Sequence, residues 1–426
     1  MITFKTMPVL ALVGLLSFPT TGTARKQQSK NNPEAMTFDM TAAQPVYNDS
    51  IGYGLEDLNP NMDNGKPFFF SVKVADGNYR VKVTLGSRKH AALTTVRAES
   101  RRLFVENAAT AKGKYATYTL LINKRDTRIP GTDVKVKLRS TSEMACFSWD
   151  DKLTLEFNGI HPAVKQIEIE RDTVCPTIFL CGNSTVVDQH KEPYASWGQM
   201  LPRFLDDSIA VANYAQSGET ASSFIFEKRL QKIGAIARKG DYVLIEFGHN
   251  DMKEKGAGKG AWYNFSTNMK TFVDVVRAAG ATPVFVTPTQ RRRFDDNGKI
   301  QETHGDYPAA MAAVAQREHA PLIDLHQYTR ELFETMGPDS SVNCLVHFPA
   351  HTYPNQSQAL KDNTHFRPFG AYEVAKCVCN GMKEINLPIA KHIISGFSFH
   401  PTHPDAFSSF RWFESPFIDV SKPEGN

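Results

Sequence analysis

Three side chains of this sequence are of the types that acyl transfer requires. Ser184 follows an apolar run and a glycine in "IFLCGNS", and Asp362 and His365 lie three residues apart in "DNTH". A serine nucleophile needs a base, and that base needs a carboxylate to orient it. We therefore interpret Ser184 as the nucleophile, His365 as the base and Asp362 as the residue that orients the base.

The oxyanion that forms during acyl transfer also needs hydrogen-bond donors. Gly218 in "NYAQSGET" and Asn250 in "FGHND" can supply them. The backbone N–H groups of Ser184 and Gly218, with the side-chain amide of Asn250, make a set of three donors. Glycines also relieve backbone strain and Asn-Asp pairs also cap helices, so the interpretation depends on the whole set in its order along the chain.

From residue 175 onward the hydrophobic pattern alternates between short buried strands and amphipathic helices. Strands are predicted at "TIFLCG", "IAVANYA", "DYVLIEFG", "TPVFVTP" and "APLIDLH", with helical patterns between them. Such alternation predicts a parallel sheet with helices on both faces, in which ligands bind at the carboxyl ends of the strands. The polar clusters follow predicted strands, apart from "DNTH", which precedes a helical stretch.

Residues 37–172 have a period of two instead. Leu153, Leu155 and Phe157 fall on one face of "DKLTLEFNG", and "FFFSVKVADGNYRVKVTLGS" predicts a hairpin that turns at Asp76-Gly77. Short strands at this spacing predict an all-β sandwich that precedes the α/β domain.

Taken together, these blocks resemble the SGNH (GDSL-type) hydrolases and are most similar to the rhamnogalacturonan acetylesterases among them. The similarity spans residues 176–390 and includes "GNSTV", "WGQMLPRF", "NYAQSGETASSF", "EFGHND", "HGDYPAAM", "PLIDLH" and "LKDNTHFRPFGAYEVA". It implies a flavodoxin-like α/β/α sandwich with a parallel sheet, a Ser-His-Asp triad, and neither metal nor cofactor. The implied substrate is an acetyl ester on a pectic, rhamnogalacturonan-type polysaccharide of the plant cell wall.

One residue departs from the family pattern, since the first block usually reads Gly-Asp-Ser and position 183 is Asn. We expect Asn183 to shape the turn and to tune the rate, because the triad carboxylate is Asp362. Substrate contacts are predicted at Asn183, His249, Trp197 and His304. For Trp197 the alternative is core packing, and for His249 it is a structural histidine.

The first 24 residues have the layout of a secretory signal peptide, with Lys5, an apolar stretch and then small residues up to Ala24. An uncleaved membrane anchor is the alternative. We expect a secreted or periplasmic protein with no membrane contact beyond this signal. The net charge of +4 is spread over the chain, which argues against nucleic acid as a partner.

The sequence therefore predicts a signal peptide (1–24), a β-sandwich (37–172), a catalytic domain (175–390) and an extended aromatic-rich tail (391–426). Sandwiches beside polysaccharide esterases resemble galactose-binding-like modules, which implies a carbohydrate-binding or purely structural role. The leading hypothesis is an exported carbohydrate esterase that deacetylates pectic polysaccharide. The alternatives are a lipase or thioesterase with the same triad and an inactive glycan-binding pseudoesterase.

Overall fold

The structure is a computed structural model, and it describes residues 35–139 and 141–424. The predicted signal peptide, residues 1–24, lies outside the described residues. Among the described residues, no helix is long and apolar enough to cross a membrane.

The amino-terminal half consists of antiparallel strands in two sheets. The described strands of this half are β1 Met36–Asp39, β2 Tyr53–Leu55, β3 Phe68–Lys73, β4 Gly77–Leu85, β5 Ala92–Ala98, β6 Arg102–Thr110, β7 Ala116–Lys124, β8 Lys152–Ile160 and β9 Val164–Asp172. One sheet has the order β2-β3-β8-β5-β6, and the other contains β1-β9-β4-β7. A short helix, α1 (Thr141–Met144), follows β7.

The two sheets pack face to face through the alternate apolar residues of their strands. Leu153, Leu155 and Phe157 of β8 are fully buried and share one core with Val81 and Val83 of β4. Alternation places one side of each strand inward, and burial of that side drives the packing of the sheets. The predicted β-sandwich is therefore present in the structure.

The predicted hairpin at Asp76-Gly77 is wrong. Strand β3 pairs with β2 and β8, whereas β4 pairs with β7 and β9. The turn carries the chain from one sheet of the sandwich to the other. The alternating pattern identified both strands correctly but contains no information about which strand each one pairs with.

The second half contains the parallel sheet. Its described strands are β10 Thr177–Cys181, β11 Ala210–Asn213, β12 Tyr242–Ile245, β13 Thr282–Val286 and β14 Leu322–Ile323, in the order β11-β10-β12-β13-β14. The described helices are α2 Trp197–Met200, α3 Ala221–Phe226, α4 Arg229–Ile236, α5 Ser266–Ala278, α6 Tyr307–Arg317, α7 Leu325–Ser340 and α8 Pro368–Glu384. This order, 2-1-3-4-5 within the sheet, is that of flavodoxin-like folds, and it confirms the predicted fold class.

Helices cover both faces of the parallel sheet. Ile178 and Leu180 of β10 face a core that includes residues of α2, α7 and α8, whereas Phe179 and Cys181 face a second core that includes residues of α4, α5 and α6. Both faces of the strands are thus buried, which explains why these strands read as continuous apolar runs.

The sandwich and the parallel sheet are joined. Strand β7 pairs with β11 at Ile122 and Val211, so four sandwich strands and the five parallel strands form one nine-stranded sheet among the described residues. Arg102 of the sandwich also forms a buried ion pair with Asp188, in which Nε lies 3.1 Å from Oδ2. The loop that follows β10 is therefore held from the sandwich side.

A two-stranded antiparallel sheet, β15 Leu345–Phe348 and β16 Leu360–Phe366, leads into α8. Its register shifts between the pair Leu345–Phe366 and the pair His347–Lys361. Asp362 and His365, which the sequence predicts only to precede a helical stretch, lie in this irregular part of β16. The extra residues bulge out of the pairing and curl around the carboxylate of Asp362.

Candidate active site

Ser184 lies three residues beyond the end of β10, in a tight turn. The backbone N–H groups of Val186 and Val187 both donate to the carbonyl oxygen of Asn183 at 3.0 Å. The carbonyl oxygen of Ser184 accepts from the side chains of Gln189 (3.0 Å) and Ser196 (2.7 Å). These contacts fix the backbone on both sides of the serine and therefore fix the direction of its side chain.

The three residues proposed for the triad are in contact. His365 Nε2 lies 3.0 Å from Ser184 Oγ, and His365 Nδ1 lies 2.7 Å from Asp362 Oδ2. Ser184 and His365 are 181 residues apart in sequence, and a chain of hydrogen bonds joins them to Asp362. All three side chains are buried, so little water competes for these bonds.

The carboxylate of Asp362 also organises its own loop. Its Oδ1 accepts from the backbone N–H groups of Thr364 at 2.8 Å and His365 at 3.0 Å. Burial acts to raise the pKa of Asp362, but hydrogen bonds from the His365 side chain and from these N–H groups outweigh it, and the pKa is lowered to about 2. The group is therefore ionised at neutral pH.

The predicted oxyanion donors lie on neighbouring loops of the sheet. Gly218 follows β11 with a φ of +77°, and an added Cβ would lie 3.1 Å from Arg139 Nη1. Asn250 follows β12, and its Nδ2 donates to the carbonyl oxygen of Glu219 at 3.0 Å, which uses one of its two hydrogens. Among the described residues, the backbone N–H groups of Ser184 and Gly218 donate to no protein acceptor.

A single buried carboxylate links the two donor loops. Asp251 accepts from the backbone N–H of Gly248 at 2.9 Å and from that of Ala221 at 2.8 Å. Burial raises its pKa to about 7. Asp251 thus positions the loop that carries Asn250 against the start of α3. This helix begins three residues after Gly218.

Two of the residues predicted as substrate contacts have side chains that face the interior. Trp197 is fully buried and its Nε1 donates to Glu246 Oε2 at 2.5 Å. Asn183 is also fully buried, and its Oδ1 accepts from the backbone N–H of Thr185 at 3.1 Å. The helical spacing of Trp197 predicted its helix but not the direction of its ring, and core packing was the correct alternative.

His249 and His304, also predicted as substrate contacts, are held by hydrogen bonds inside the protein. His249 Nε2 lies 3.1 Å from Thr289 Oγ1, and its Nδ1 lies 3.0 Å from His304 Nε2. Both ring nitrogens of His249 are thus used inside the protein. His304 is fully buried, and its Nδ1 lies 3.8 Å from Glu302 Oε1.

Several residues beside the triad were not predicted. The ring of Tyr194 packs edge-on against the ring of His365 with centroids 5.8 Å apart, and Lys422 Nζ in the tail lies 3.8 Å from Asp362 Oδ2. A cavity of about 220 Å³ opens here, and its lining includes Gln189, Tyr194, Ser217, Asp419 and Lys422. Lys422 reaches the triad through long-range packing of the tail, for which the sequence carries no local signal.

The chain is similar to known hydrolases. The sequence profile of the GDSL-like lipase/acylhydrolase family matches residues 180–354. Rhamnogalacturonan acetylesterase RhgT of Bacillus subtilis (strain 168) is 44% identical over 220 residues, which are 51% of this chain and 94% of that protein. A rhamnogalacturonan acetylesterase of Emericella nidulans is 26% identical over 246 residues, or 52% of this chain and 92% of that protein.

Among solved structures, protein YxiM of Bacillus subtilis aligns with 83% of this chain and 99% of its own, at 22% identity and a TM-score of 0.47. The family assignment depends on the sequence similarity, which spans nearly the whole of the first relative. The chain belongs to the GDSL-like lipase/acylhydrolase family, the SGNH hydrolases, and is a serine ester hydrolase.

Proposed function

We propose that this protein is an exported carbohydrate O-acetylesterase that acts on rhamnogalacturonan-type pectic polysaccharide. The observation that carries the chemistry is the continuous contact from Ser184 Oγ through His365 to the ionised carboxylate of Asp362. The substrate class is supported by the relatives, two of which bear the name rhamnogalacturonan acetylesterase. Export is supported by the pattern of the first 24 residues.

In the proposed mechanism, Ser184 Oγ attacks the acetyl carbonyl carbon while His365 Nε2 takes the hydroxyl proton. The N–H groups of Ser184 and Gly218 and the free amide hydrogen of Asn250 stabilise the oxyanion. When the tetrahedral intermediate collapses, His365 returns the proton to the sugar oxygen and an acetyl-enzyme remains. A water molecule, deprotonated by His365, then releases acetate and restores the serine.

The first test is the hydrolysis of p-nitrophenyl acetate by the protein and by Ser184→Ala. We expect turnover by the former and its loss in the variant, with unchanged circular dichroism. Turnover retained in Ser184→Ala would refute the assignment of the nucleophile. Ser208→Ala changes an exposed serine outside the triad, is the matched control and should keep full activity.

The second test concerns the substrate. Acetate release is measured on acetylated rhamnogalacturonan, acetylated homogalacturonan and acetylated xylan, together with p-nitrophenyl esters of increasing acyl length. We expect the highest kcat/KM on rhamnogalacturonan and a steep fall beyond short acyl chains. A preference for long acyl chains would instead indicate a lipase or thioesterase. Binding of these glycans without any ester turnover would indicate a pseudoesterase.

A further inference from the structure

A group of potential metal ligands lies apart from the triad. Glu302 and His304 precede α6, and His326 lies in the first turn of α7. One oxygen or nitrogen atom from each of the three side chains lies within 4.8 Å of those of the other two. The esterase mechanism proposed above uses none of these residues.

Each of the two imidazoles has one ring nitrogen held by the protein. His326 Nδ1 lies 2.8 Å from the carbonyl oxygen of Pro288 and can only donate to it, and His304 Nε2 lies 3.0 Å from His249 Nδ1. The other nitrogens lie near the carboxylate. His326 Nε2 is 2.8 Å from Glu302 Oε2, and His304 Nδ1 is 3.8 Å from Glu302 Oε1 and 3.4 Å from Thr303 Oγ1. Metal-bound histidines are oriented in this way, through a hydrogen bond on the nitrogen that does not bind the metal.

A fourth polar group lies at the same point. The Nε2 atom of Gln290 is 2.7 Å from His326 Nε2, and the Oε1 atom of Gln290 is buried with no partner among the described residues. Because Nδ1 of His326 donates to Pro288, its Nε2 carries no proton in the neutral ring and is the nitrogen that can bind a metal. The Gln290 amide donates to this nitrogen as placed, and a bound cation would favour the rotated amide, with its orphan oxygen at this position.

Two arginines act against a cation here. Arg330 Nη2 lies 3.4 Å from Glu302 Oε2, and Arg291 Nη1 donates to the carbonyl oxygen of Thr303 at 3.1 Å. The side chain of Glu302 is 44% exposed and that of Arg330 is 28% exposed, so an entering ion can displace the arginine toward solvent. The competing arrangement is an ion pair between Glu302 and a protonated His326, with no metal.

We propose that Glu302, His304 and His326 form a binding site for Zn²⁺ or a similar divalent transition metal. Two imidazole nitrogens and one carboxylate are a common ligand set for zinc, with a fourth position left for water or for Gln290. The ion would tie the segment before α6 to the first turn of α7. Through His304 it would also fix His249, the neighbour of Asn250. Its role is structural, so the expectation of a metal-free reaction is unaffected.

The test is titration of the EDTA-treated full-length protein with ZnCl₂ by isothermal calorimetry, with thermal unfolding in parallel. We expect one Zn²⁺ per chain and a higher Tm in its presence. Glu302→Gln, an exposed change of nearly equal volume that should leave the fold intact, should weaken binding by at least about tenfold. The His400→Ala/His403→Ala double variant removes an exposed histidine pair in the tail and is the matched control.

Three outcomes would overturn the proposal. They are no Zn²⁺ binding by the unmodified protein, undiminished affinity in Glu302→Gln, and loss of binding in the His400→Ala/His403→Ala variant. The first would leave the ion pair of Glu302 and His326 as the description of this cluster. Comparable affinity for Mg²⁺, which prefers oxygen ligands, would likewise refute a site built on two imidazoles.

Discussion

At the residue scale, the contacts of His365 determine which of its nitrogens carries the proton. Asp362 is ionised at neutral pH because its pKa is lowered to about 2, so its Oδ2 can only accept, and His365 Nδ1 must donate to it. In the neutral ring, Nε2 is then without a proton and accepts from Ser184 Oγ. In the proposed mechanism, the carboxylate therefore prepares the histidine to act as a base before any substrate arrives.

Asp362→Asn removes the carboxylate that fixes the tautomer of His365, with little change in side-chain volume. The amide can donate to His365 Nδ1 and thereby favour the tautomer whose Nε2 already carries a proton. We expect kcat on p-nitrophenyl acetate to fall by about 10⁴-fold, as for other triads that lose their carboxylate in this way. Asp296→Asn, at an exposed position, is the control and should retain full activity. A loss of less than tenfold in Asp362→Asn would show that Asp362 does not orient the base.

The structure also shows which side chains surround Asn183. The Thr185 hydroxyl lies 2.9 Å from Asn183 Oδ1 and 2.7 Å from Glu246 Oε1, so both side chains use the same hydroxyl group. Burial raises the pKa of Glu246 to about 7. Aspartate at position 183 would therefore place a second carboxylate beside one that is already buried.

We expect Asn183→Asp to lower the free energy of unfolding by about 1–3 kcal/mol at pH 8 and by much less at pH 5. The folded pKa of Glu246 lies above its unfolded value, so its contribution to stability decreases as pH rises from about 4.5 through about 7. Below pH 7, protonated Glu246 can share its proton with the new carboxylate. Above it, two negative charges repel each other.

Urea unfolding at the two pH values measures this difference. The matched control is Asn183→Asp in a Glu246→Gln background, in which the part of the pH dependence that comes from repulsion between the two carboxylates should disappear. A variant that is equally stable at both pH values, or more active than the parent protein, would contradict the proposed repulsion. It would indicate instead that Asn183 impairs the enzyme.

At the element scale, the sequence predicted the catalytic loops better than the connections between strands. Ser184 and Asn250 follow continuous apolar strands, and in a parallel sheet such strand ends meet at one edge, so their proximity could be predicted from the sequence. The turn at Asp76-Gly77 was misread because a short polar turn is compatible with a hairpin and with a crossing between sheets. Which of the two occurs depends on pairing with strands distant in sequence.

Helix α8 begins three residues after His365, and its position depends on a close backbone approach. A Cβ on Gly370 would lie 2.0 Å from the carbonyl oxygen of Cys344. Gly370→Ala must therefore push α8 away from this segment. We expect a loss of about 3 kcal/mol in the free energy of unfolding and a lower kcat, because His365 moves with the start of the helix.

Gly234→Ala is the matched control in helix α4. There the new Cβ would approach only the Val275 side chain, at 2.7 Å from Cγ1. The higher helix propensity of alanine also adds about 1 kcal/mol to the free energy of unfolding. Denaturant unfolding and kcat on p-nitrophenyl acetate distinguish the two variants. Equal stability of Gly370→Ala and Gly234→Ala would contradict the proposed close packing of α8.

At the scale of the whole molecule, the tail binds the sandwich to the catalytic half. The Trp412 ring lies 3.9 Å from the guanidinium carbon of Arg97 in β5, and its Nε1 donates to Glu192 Oε1 at 2.9 Å. Arg97 also forms a fully buried ion pair with Glu156 of β8, at 2.7 Å. Trp412 therefore contacts side chains of both halves. This contact is a second connection between the halves, besides the shared nine-stranded sheet.

Trp412→Ala tests this connection. The change removes the cation–π contact with Arg97, exposes that guanidinium to more water and leaves Glu192 without its indole donor. We therefore expect a loss of about 3 kcal/mol in the free energy of unfolding. Calorimetry should show one transition for the parent protein, because the shared sheet couples the halves, and a lower and broader transition for the variant. Trp262→Ala changes a residue that is 53% exposed, is the matched control and should shift Tm little. Two independent transitions in the parent protein, or equal Tm values for the two tryptophan variants, would mean that the tail only covers the surface and does not couple the halves.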